Sequence, residues 1–251
     1  MKDTRCGVNV VLLEPHEVLD AHAVQLSGPR AAHINSVLNA SVGACVRVGV
    51  VDGPLGQATV THVAPDRVHL ACTFDAAAPP RPAVDLLLAL PRPKVLRRLW
   101  AQLAALGVGR IMLTNAARVE RNYFDTHVLD PDVYRPLLIE GLQQARDTHL
   151  PVVSIHRQLK VLVEDDLGPP DGARLFAHPA ATSALATSVG HGEGRVLLAV
   201  GPEGGWTEYE QRLFERHGFA GVSMGPRTLR SDTACIALLT LVHEALRGAR
   251  R

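Results

Sequence analysis

The sequence predicts an α/β protein in which a small β-barrel precedes a mostly parallel, helix-covered sheet. Three observations predict this order. Residues 1–75 contain short β-branched segments separated by turn residues, as small barrels do. Residues 76–83 hold three prolines among small residues, which favours a stiff linker. From Val84 onwards, apolar segments alternate with helical ones, which is typical of strands buried beneath helices on both faces of a sheet.

The composition narrows the class of protein. The chain has 251 residues, of which 47% are hydrophobic, so it can bury a core in one or two domains. Its formal net charge is only +1, so any nucleic-acid binding must depend on local basic patches. There is no targeting segment and no apolar run long enough to span a membrane. We therefore expect a cytoplasmic protein with no membrane partner.

The four cysteines, Cys6, Cys45, Cys72 and Cys235, are scattered along the chain without a Cys-x-x-Cys pair. This spacing argues against a zinc ribbon and against a disulfide framework, and it fits a reducing compartment. We expect no metal site.

The expected elements follow from the local patterns. In the N-terminal part we expect strands at Val46–Val51, Ala58–Val63 and Arg67–Phe74, a turn at Asp52-Gly53, and one helix at Pro29–Leu38. In the C-terminal part we expect strands at Val84–Leu90, Arg110–Thr114, Val152–His156, Arg174–His178, Arg195–Val200 and Gly221–Met224. The helices between them are expected at Lys94–Leu106, Asp132–Arg146, Thr207–His217 and Ser231–Arg247.

The segment LLAVGPEGGW, Leu197–Trp206, ends a buried strand in a turn of small or stiff residues around one carboxylate. Ligands of open α/β sheets bind at the carboxyl ends of strands, and the glycines leave main-chain groups open to a flat ligand such as an adenine ring. Thr207 and Glu210 have the spacing of a capping box that begins the next helix. A tight turn whose glycines serve geometry alone is the alternative. The phosphate-loop pattern is absent.

A second turn, Met224–Ala234, again follows a strand with Gly-Pro. It carries Arg227 and Arg230, and Ser231 is expected to be the N-cap of the last helix. The two Gly-Pro pairs are about 24 residues apart, and neighbouring strand ends lie close in space, so we expect them to form two walls of one pocket. Alternatively, the two arginines only decorate a surface loop.

Residues 221–225, GVSMG, match the Gly-x-Ser-x-Gly pattern of serine hydrolases. That nucleophile elbow needs a helix directly after the serine, whereas Pro226 follows here. The acid and histidine candidates, Asp232 and His243, both fall on the next helix. We therefore expect Ser223 to be a strand residue.

The two turns, GPEGGWTEYE and GPRTLRSDTA, resemble the signature of the RsmE-like family of SPOUT methyltransferases, which methylate the N3 of a uridine in small-subunit (16S) ribosomal RNA. The similarity extends upstream to LALPRPKVLRRLWAQLAALGVGRIMLTNAARVERNYF, EGLQQARDTHLP and FAHP. The N-terminal part is similar to the family's PUA-like barrel. We therefore set the domains at 1–78, a PUA-like RNA-binding barrel, and 79–251, a SPOUT methyltransferase domain.

The resemblance implies a trefoil knot in the second domain, S-adenosyl-L-methionine (SAM) as cofactor, a homodimer, and ribosomal RNA or the small ribosomal subunit as partner. It also implies which residues contact the cofactor. These are His178, Gly201, Pro202, Glu203, Gly204, Gly205, Met224, Gly225, Pro226, Leu229 and Arg230.

Two of these residues are catalytic candidates. Methylation of N3 requires that the nitrogen be aligned with the methyl group and that its proton leave. The resemblance places Arg230 near the reacting centre, where a cation would stabilise the uracil anion. Glu203 is the carboxylate nearest the expected pocket and is the candidate base; holding the ribose or a neighbouring N–H group is its alternative role.

Local basic patches are the candidate RNA contacts, although a solvated helix face is the common reason for such a run. They consist of Arg92, Lys94, Arg97, Arg98, Arg118 and Arg121. The sequence departs from the family in HINSVLN, where Ser36 and Asn39 stand at positions that usually carry basic residues. Met1–Val8 also extends ahead of the family's usual start.

Two other functions remain open at this point. One is a SPOUT methyltransferase that acts on another rRNA or tRNA position, and the other is a non-catalytic RNA-binding dimer that retains the fold. A serine hydrolase that uses Ser223 is a more distant alternative.

Overall fold

The computed structural model describes residues 10–19, 23–28, 30–31, 34, 41–189 and 194–249. The described chain separates into two compact units. One lies within Met1–Arg81 together with Ile139–Leu150, and the other within Pro82–Leu138 and Pro151–Arg251. Most of the helix expected at Pro29–Leu38, together with Cys6, Ser36, Asn39 and Met1–Val8, lies outside the described residues.

The described part of the first unit holds a mixed six-stranded sheet with the order β1-β4-β5-β6-β3-β2, in which only β1 and β4 are parallel. Its strands are β1 (Val10–Leu13), β2 (Val18–Leu19), β3 (Ala23–Ser27), β4 (Cys45–Val50), β5 (Leu55–Ala64) and β6 (Arg67–Phe74). Alternation of apolar and polar residues buries one face of β3, at Val24 and Leu26, whereas all four residues of β1 are buried. The expected PUA-like half-barrel is confirmed.

The predicted turn at Asp52-Gly53 is confirmed, and residues distant in sequence hold it in place. Gly53 N donates to the Val50 carbonyl at 2.8 Å, and Asp52 adopts a left-handed φ of 57°. Asp52 N donates to the Thr148 carbonyl at 2.8 Å, and Thr148 Oγ1 donates to the Gly53 carbonyl at 2.7 Å. These bonds account for the inclusion of Ile139–Leu150 in the first unit.

The cysteines differ in state. Cys45 is disulfide-bonded, although the scattered spacing of the cysteines argued against a disulfide framework. Spacing along the chain does not decide which sulfurs approach one another in the fold. Cys72 and Cys235 are buried, and burial raises the pKa of the Cys72 thiol to about 11 and that of Cys235 to about 12.

The second unit contains an all-parallel sheet of seven described strands in the order β11-β13-β10-β12-β7-β8-β9. They are β7 (Val84–Ala89), β8 (Val108–Thr114), β9 (Val152–His156), β10 (Gly172–Ala177), β11 (Ser183–Ala184), β12 (Arg195–Val200) and β13 (Phe219–Ser223). The longer helices are α1 (Pro93–Ala105), α2 (Pro131–Ala145), α3 (Glu208–Arg216) and α4 (Ser231–Ala249). The predicted mostly parallel sheet is confirmed.

The central strands are buried on both faces, which explains their continuous apolar sequences. Every residue of β7 is buried, including Asp85, whose side chain is 1% exposed. Its carboxylate accepts from Arg110 Nε at 2.8 Å and from Arg195 Nη2 at 2.6 Å, so this charge is paired at the amino-terminal edge of the sheet. The Asp85 hydrogen bond raises the pKa of Arg195.

The helix boundaries follow local signals. Helix α1 ends before Gly107, which adopts a left-handed φ of 75° and donates its N–H to the Ala104 carbonyl at 3.0 Å. The signals missed the shorter elements, among them 3₁₀ turns at Arg121–Phe124 and His127–Leu129 and a π-helical turn at Leu162–Asp166. None of the helices in the described part of the chain has the length and apolarity that crossing a membrane requires.

Candidate functional site

A cavity of about 300 Å³ lies at the carboxyl edge of the parallel sheet. Its walls come from 177–180 at the end of β10, from 200–206 at the end of β12 and from 222–225, 227–229 and 231 at the end of β13, together with Arg118, Ala234 and Leu238. The two Gly-Pro turns therefore do line one cavity. They do not follow neighbouring strands, because β10 pairs with both β12 and β13 and lies between them. The end of β10 is thus a third wall.

The first Gly-Pro turn is held tightly from within. Gly205 N donates to the Pro202 carbonyl at 2.8 Å, and Gly205 has a left-handed φ of 73°. Gly201 packs on the buried indole of Trp206, so that a Cβ at position 201 would lie 3.1 Å from its Cε2 and Nε1 atoms. Trp206 in turn packs edge-on against Phe214 with ring centroids 4.9 Å apart. The turn is therefore anchored to α3 by aromatic packing.

The predicted capping box is confirmed and has an additional partner. Thr207 Oγ1 accepts from Glu210 N, and Glu210 Oε2 accepts from Thr207 N at 2.7 Å. The second carboxylate oxygen, Oε1, accepts from Ala117 N at 2.7 Å. Because Glu210 is only 4% exposed, this bond fixes the segment after β8 to the start of α3.

The second Gly-Pro turn is organised by Ser223. Its Oγ accepts from Gly225 N at 3.1 Å and lies 3.3 Å from the Pro179 carbonyl, to which it can donate. Gly225 has a φ of 121°, a conformation that favours glycine. Ser223 ends strand β13, as predicted, and its hydroxyl contacts main-chain atoms. The structure thus gives the hydrolase alternative no support.

The start of α4 differs from the expectation. Ser231 was predicted to be the N-cap, but it is already the first helical residue, and its buried hydroxyl has no hydrogen-bond partner among the described residues. The carbonyl of Arg230 accepts from Ala234 N at 2.8 Å, so Arg230 is the residue that precedes the helix. The N-cap prediction was wrong because serine occurs at several positions near a helix start. The helix begins at Ser231, one residue earlier than an N-cap at that position implies.

Most of the predicted cofactor residues reach the cavity. His178, Gly201, Pro202, Glu203, Gly204, Gly205, Met224, Gly225 and Leu229 line it, whereas Pro226 and Arg230 are exposed in the same turn and do not. His178 N donates to the Val222 carbonyl at 2.9 Å, and its Nδ1 accepts from Ala180 N at 3.3 Å. That acceptor role leaves Nε2 as the protonated nitrogen in the neutral ring.

The two charged candidates are both accessible to solvent. The Glu203 carboxylate is 45% exposed and lies 3.6 Å from Arg92 Nε. The side chain of Arg230 is exposed, and it makes no ion pair with a described residue. Near Arg92, partial burial and a hydrogen bond to Glu120 raise the pKa of Tyr123.

The basic residues predicted from the sequence have different surroundings. Arg98 pairs with Asp232 at 2.9 Å, and Arg92 pairs with Glu203. Lys94, Arg97 and Arg121 are exposed and make no ion pair within the described chain. Arg118 lies against the glycine turn and lines the cavity.

Several residues that line the cavity were not among the predicted cofactor contacts, Trp206 and Ser231 among them. Trp206 lies within the quoted motif, but a large apolar residue after a turn is most simply assigned to the core. Arg227, which the sequence offered either as a site residue or as decoration of a surface loop, lines the cavity. Among the described residues, no three His, Cys, Asp or Glu side chains are grouped as metal ligands would be.

Comparison with known proteins assigns the family. Residues 79–243 match the model of the RNA methyltransferase domain. The chain is 34% identical to ribosomal RNA small subunit methyltransferase E of Treponema pallidum, over 94% of this chain and 90% of that protein. It is 25% identical to the protein of that name from Synechocystis, over 94% of this chain and 77% of the relative.

Solved structures share the fold at low identity. The ribosomal RNA small subunit methyltransferase E of Neisseria gonorrhoeae, bound to S-adenosyl methionine, superposes with a TM-score of 0.78 at 22% identity, covering 94% of this chain and 97% of that one. A methyltransferase of Legionella pneumophila in complex with the same cofactor gives 0.74 at 23% identity, with 94% and 97% covered. The matched domain and the Treponema relative establish that the chain belongs to the RsmE-like family of ribosomal RNA small-subunit methyltransferases.

Proposed function

We propose that this protein is a SAM-dependent methyltransferase that modifies the N3 of a specific uridine in 16S ribosomal RNA. The observation that carries the proposal is the cavity at the carboxyl edge of the sheet, where both Gly-Pro turns and the end of β10 meet. Family membership supports rRNA methylation in general. The choice of uridine N3 rests on the resemblance of the two turns to the family signature.

The cavity suits an adenosyl ligand by size and by lining. Its volume of about 300 Å³ lies at the lower end of the range for small-molecule sites. Positions 201, 204, 205 and 225 carry no side chain, so a flat base can approach the main chain there. The Gly204 carbonyl and the N–H groups of Gly205 and Gly225 are already bonded within the protein, which leaves the remaining N–H and C=O groups of the turns for the ligand. When bound, SAM would supply an electrophilic sulfonium methyl group. We propose that His178, Gly201–Gly205 and Met224–Arg230 hold it.

The chain's own residues must align uridine N3 and assist loss of its proton. We propose that the exposed guanidinium of Arg230 stabilises the uracil anion, because a fixed cation favours charge that develops during reaction. Glu203 is the proposed base, and to act it must first leave Arg92, which lies 3.6 Å away in the structure. Holding the ribose is the alternative role of Glu203.

The proposed RNA surface combines exposed cations at the start of α1 with others after β8. Lys94, Arg97 and Arg121 are the members that make no ion pair within the described residues. Arg92 and Arg98 can join them if phosphates displace their carboxylate partners. Because N3 is hidden in a base pair, we propose that the target uridine is unpaired or leaves its stack.

Several further features of the proposal come from the family resemblance. We propose domains at 1–78 and 79–251, a trefoil knot in the second, and a homodimer that works in the cytoplasm on ribosomal RNA or the assembled small subunit.

The test is nucleoside mass spectrometry after incubation of the full-length protein with SAM and undermethylated small subunits or their naked RNA. We expect N3-methyluridine at one position and none without SAM. Another methylated nucleoside, or a methylated tRNA, would instead support a SPOUT methyltransferase that acts on another rRNA or tRNA position. SAM binding without any methylated product in either substrate, or no SAM binding at all, would favour the non-catalytic RNA-binding dimer.

A further inference from the structure

Arg118 makes a contact that its place in the sequence did not suggest. It follows β8, and its Nη1 donates to the carbonyl of Gly204 in the first Gly-Pro turn. Its aliphatic part lies over the same residue, since a Cβ built at Gly204 would be 2.8 Å from Arg118 Cδ and 3.4 Å from Cβ. Within the described residues Arg118 makes no ion pair. A main-chain carbonyl is thus the acceptor that holds its guanidinium.

The backbone that carries Arg118 is itself fixed to the glycine turn. Ala117 N donates to Glu210 Oε1 at 2.7 Å, and Glu210 also caps the helix that follows the turn. Arg118 therefore directly follows a residue whose N–H group is bonded to the buried carboxylate of Glu210. The guanidinium bond and the Glu210 bonds attach the segment after β8 to Gly204 within the turn and to Thr207 just after it.

The same contact explains why residue 204 is glycine. Gly205 has a left-handed φ of 73°, but Gly204 is not among the positive-φ glycines, so its backbone conformation does not exclude alanine. The space for a side chain at Gly204 is filled by Arg118. An alanine there would have to displace the arginine, which is the flexible partner.

We propose that Arg118 is a positioning residue of the cofactor site: it closes over Gly204 and holds the 202–205 turn in the shape that lines the cavity. This inference rests on the proposed function, because SAM is taken as the ligand of the cavity. The guanidinium bonded to Gly204 is directed to the protein main chain, and a role for Arg118 in RNA binding is secondary to it.

A double-mutant cycle tests the proposal. We expect Arg118→Ala and Gly204→Ala each to weaken SAM binding about tenfold in calorimetric titrations of the full-length protein. The double variant should be no weaker than either single one, because both remove the same contact. Arg118→Lys should recover part of the loss. Arg212→Ala, which changes an exposed arginine on α3, is the control and should bind SAM as the wild type does.

Two results would overturn the proposal. Additive effects, about a hundredfold in the double variant, would mean that the two residues act independently. Unchanged SAM affinity in Arg118→Ala, with a salt slope of RNA binding reduced by about one, would make Arg118 a phosphate contact instead.

A ligand-free measurement separates this inference from the proposed function. Hydrogen exchange of the amides at 203–206 should be faster in Arg118→Ala than in the wild type or in Arg212→Ala, whether or not SAM is the ligand. Unchanged exchange would contradict the positioning role. Failure of the wild type to bind SAM, with exchange altered as expected, would contradict only the proposed cofactor.

Discussion

At the scale of single residues, the glycines of the site are glycines for different reasons. Gly205 and Gly225 have positive φ values of 73° and 121°, which residues with a side chain rarely adopt. Gly201 leaves room for the indole of Trp206, and Gly204 leaves room for Arg118. The first pair is constrained by the backbone and the second by a neighbouring side chain. Substitutions at these positions should therefore fail in distinguishable ways.

Gly201→Ala should destabilise the folded protein by about 1–3 kcal/mol, the usual cost of overpacking. The added Cβ would lie 3.1 Å from the ring of Trp206, which is 2% exposed and has Phe214 behind it. Thermal and urea denaturation measure the change. Gly248→Ala is the control: a Cβ there meets nothing within 4 Å and alanine favours the helix, so this variant should be at least as stable as the wild type. Equal stability of both variants would mean that the indole yields freely.

Asp85→Asn should destabilise the protein by about 2 kcal/mol, less than the 3–5 kcal/mol of a fully buried pair. The expected loss of stability is smaller than for a fully buried pair because the Arg110 and Arg195 side chains are 44% and 32% exposed and can be hydrated when the carboxylate is removed. Asp171→Asn, whose carboxylate is 66% exposed and 3.9 Å from Arg195, is the control. A loss in the control as large as in Asp85→Asn, measured by denaturant unfolding, would argue against the buried cluster.

At the scale of elements, the residue that caps helix α3 also connects two loops, the segment after β8 and the first Gly-Pro turn. Glu210 accepts hydrogen bonds from Thr207 N, Thr207 Oγ1 and Ala117 N. The first belongs to the capping box and the second joins the two capping side chains, whereas the third joins the segment after β8 to the start of α3. One carboxylate thus holds two walls of the cavity in register.

Glu210→Ala should lower the free energy of unfolding by more than the loss of a helix cap alone does. Loss of a cap costs about 1 kcal/mol, and loss of the part-buried hydrogen bond from Ala117 N adds about 1 kcal/mol. Thr207→Ala leaves the Ala117 bond in place and should cost only the first amount. Chemical denaturation of the two variants measures the difference. If both cost the same, the Ala117 bond contributes nothing to stability.

Helix α4 carries a histidine that makes stability depend on pH. His243 packs near Gly107 at the end of α1, and its Nε2 is buried with no partner among the described residues. Burial, and more weakly the positive charge of Arg247, lower its pKa below the usual 6.5, although a backbone hydrogen bond at Leu106 opposes the shift. The folded state therefore binds fewer protons than the unfolded state just below pH 6.5.

Acidification should consequently destabilise the protein through His243. The contribution is fully present above pH 6.5, the unfolded value, and is lost as the pH falls towards the lower folded pKa. His243→Gln should flatten the melting-temperature profile between about pH 7 and pH 5. A profile of the variant that parallels the wild type would show that other groups govern the acid response.

At the scale of the whole molecule, local patterns were sufficient for elements but not for their long-range arrangement. The strand Val84–Leu90 was predictable because burial on both faces leaves a continuous apolar run. The insertion of β10 between β12 and β13 was not, since pairing order depends on contacts between distant segments. The same limit hid the Arg118–Gly204 contact, which joins residues 86 positions apart.

The functional assignment depends on the cavity between the Gly-Pro turns. Amide hydrogen exchange of the full-length protein, compared with and without SAM, tests that claim most directly because it reports both binding and its location. We predict slower exchange at 201–206 and 224–230 when SAM is present. Protection confined to other segments, or no change at saturating SAM, would contradict the account.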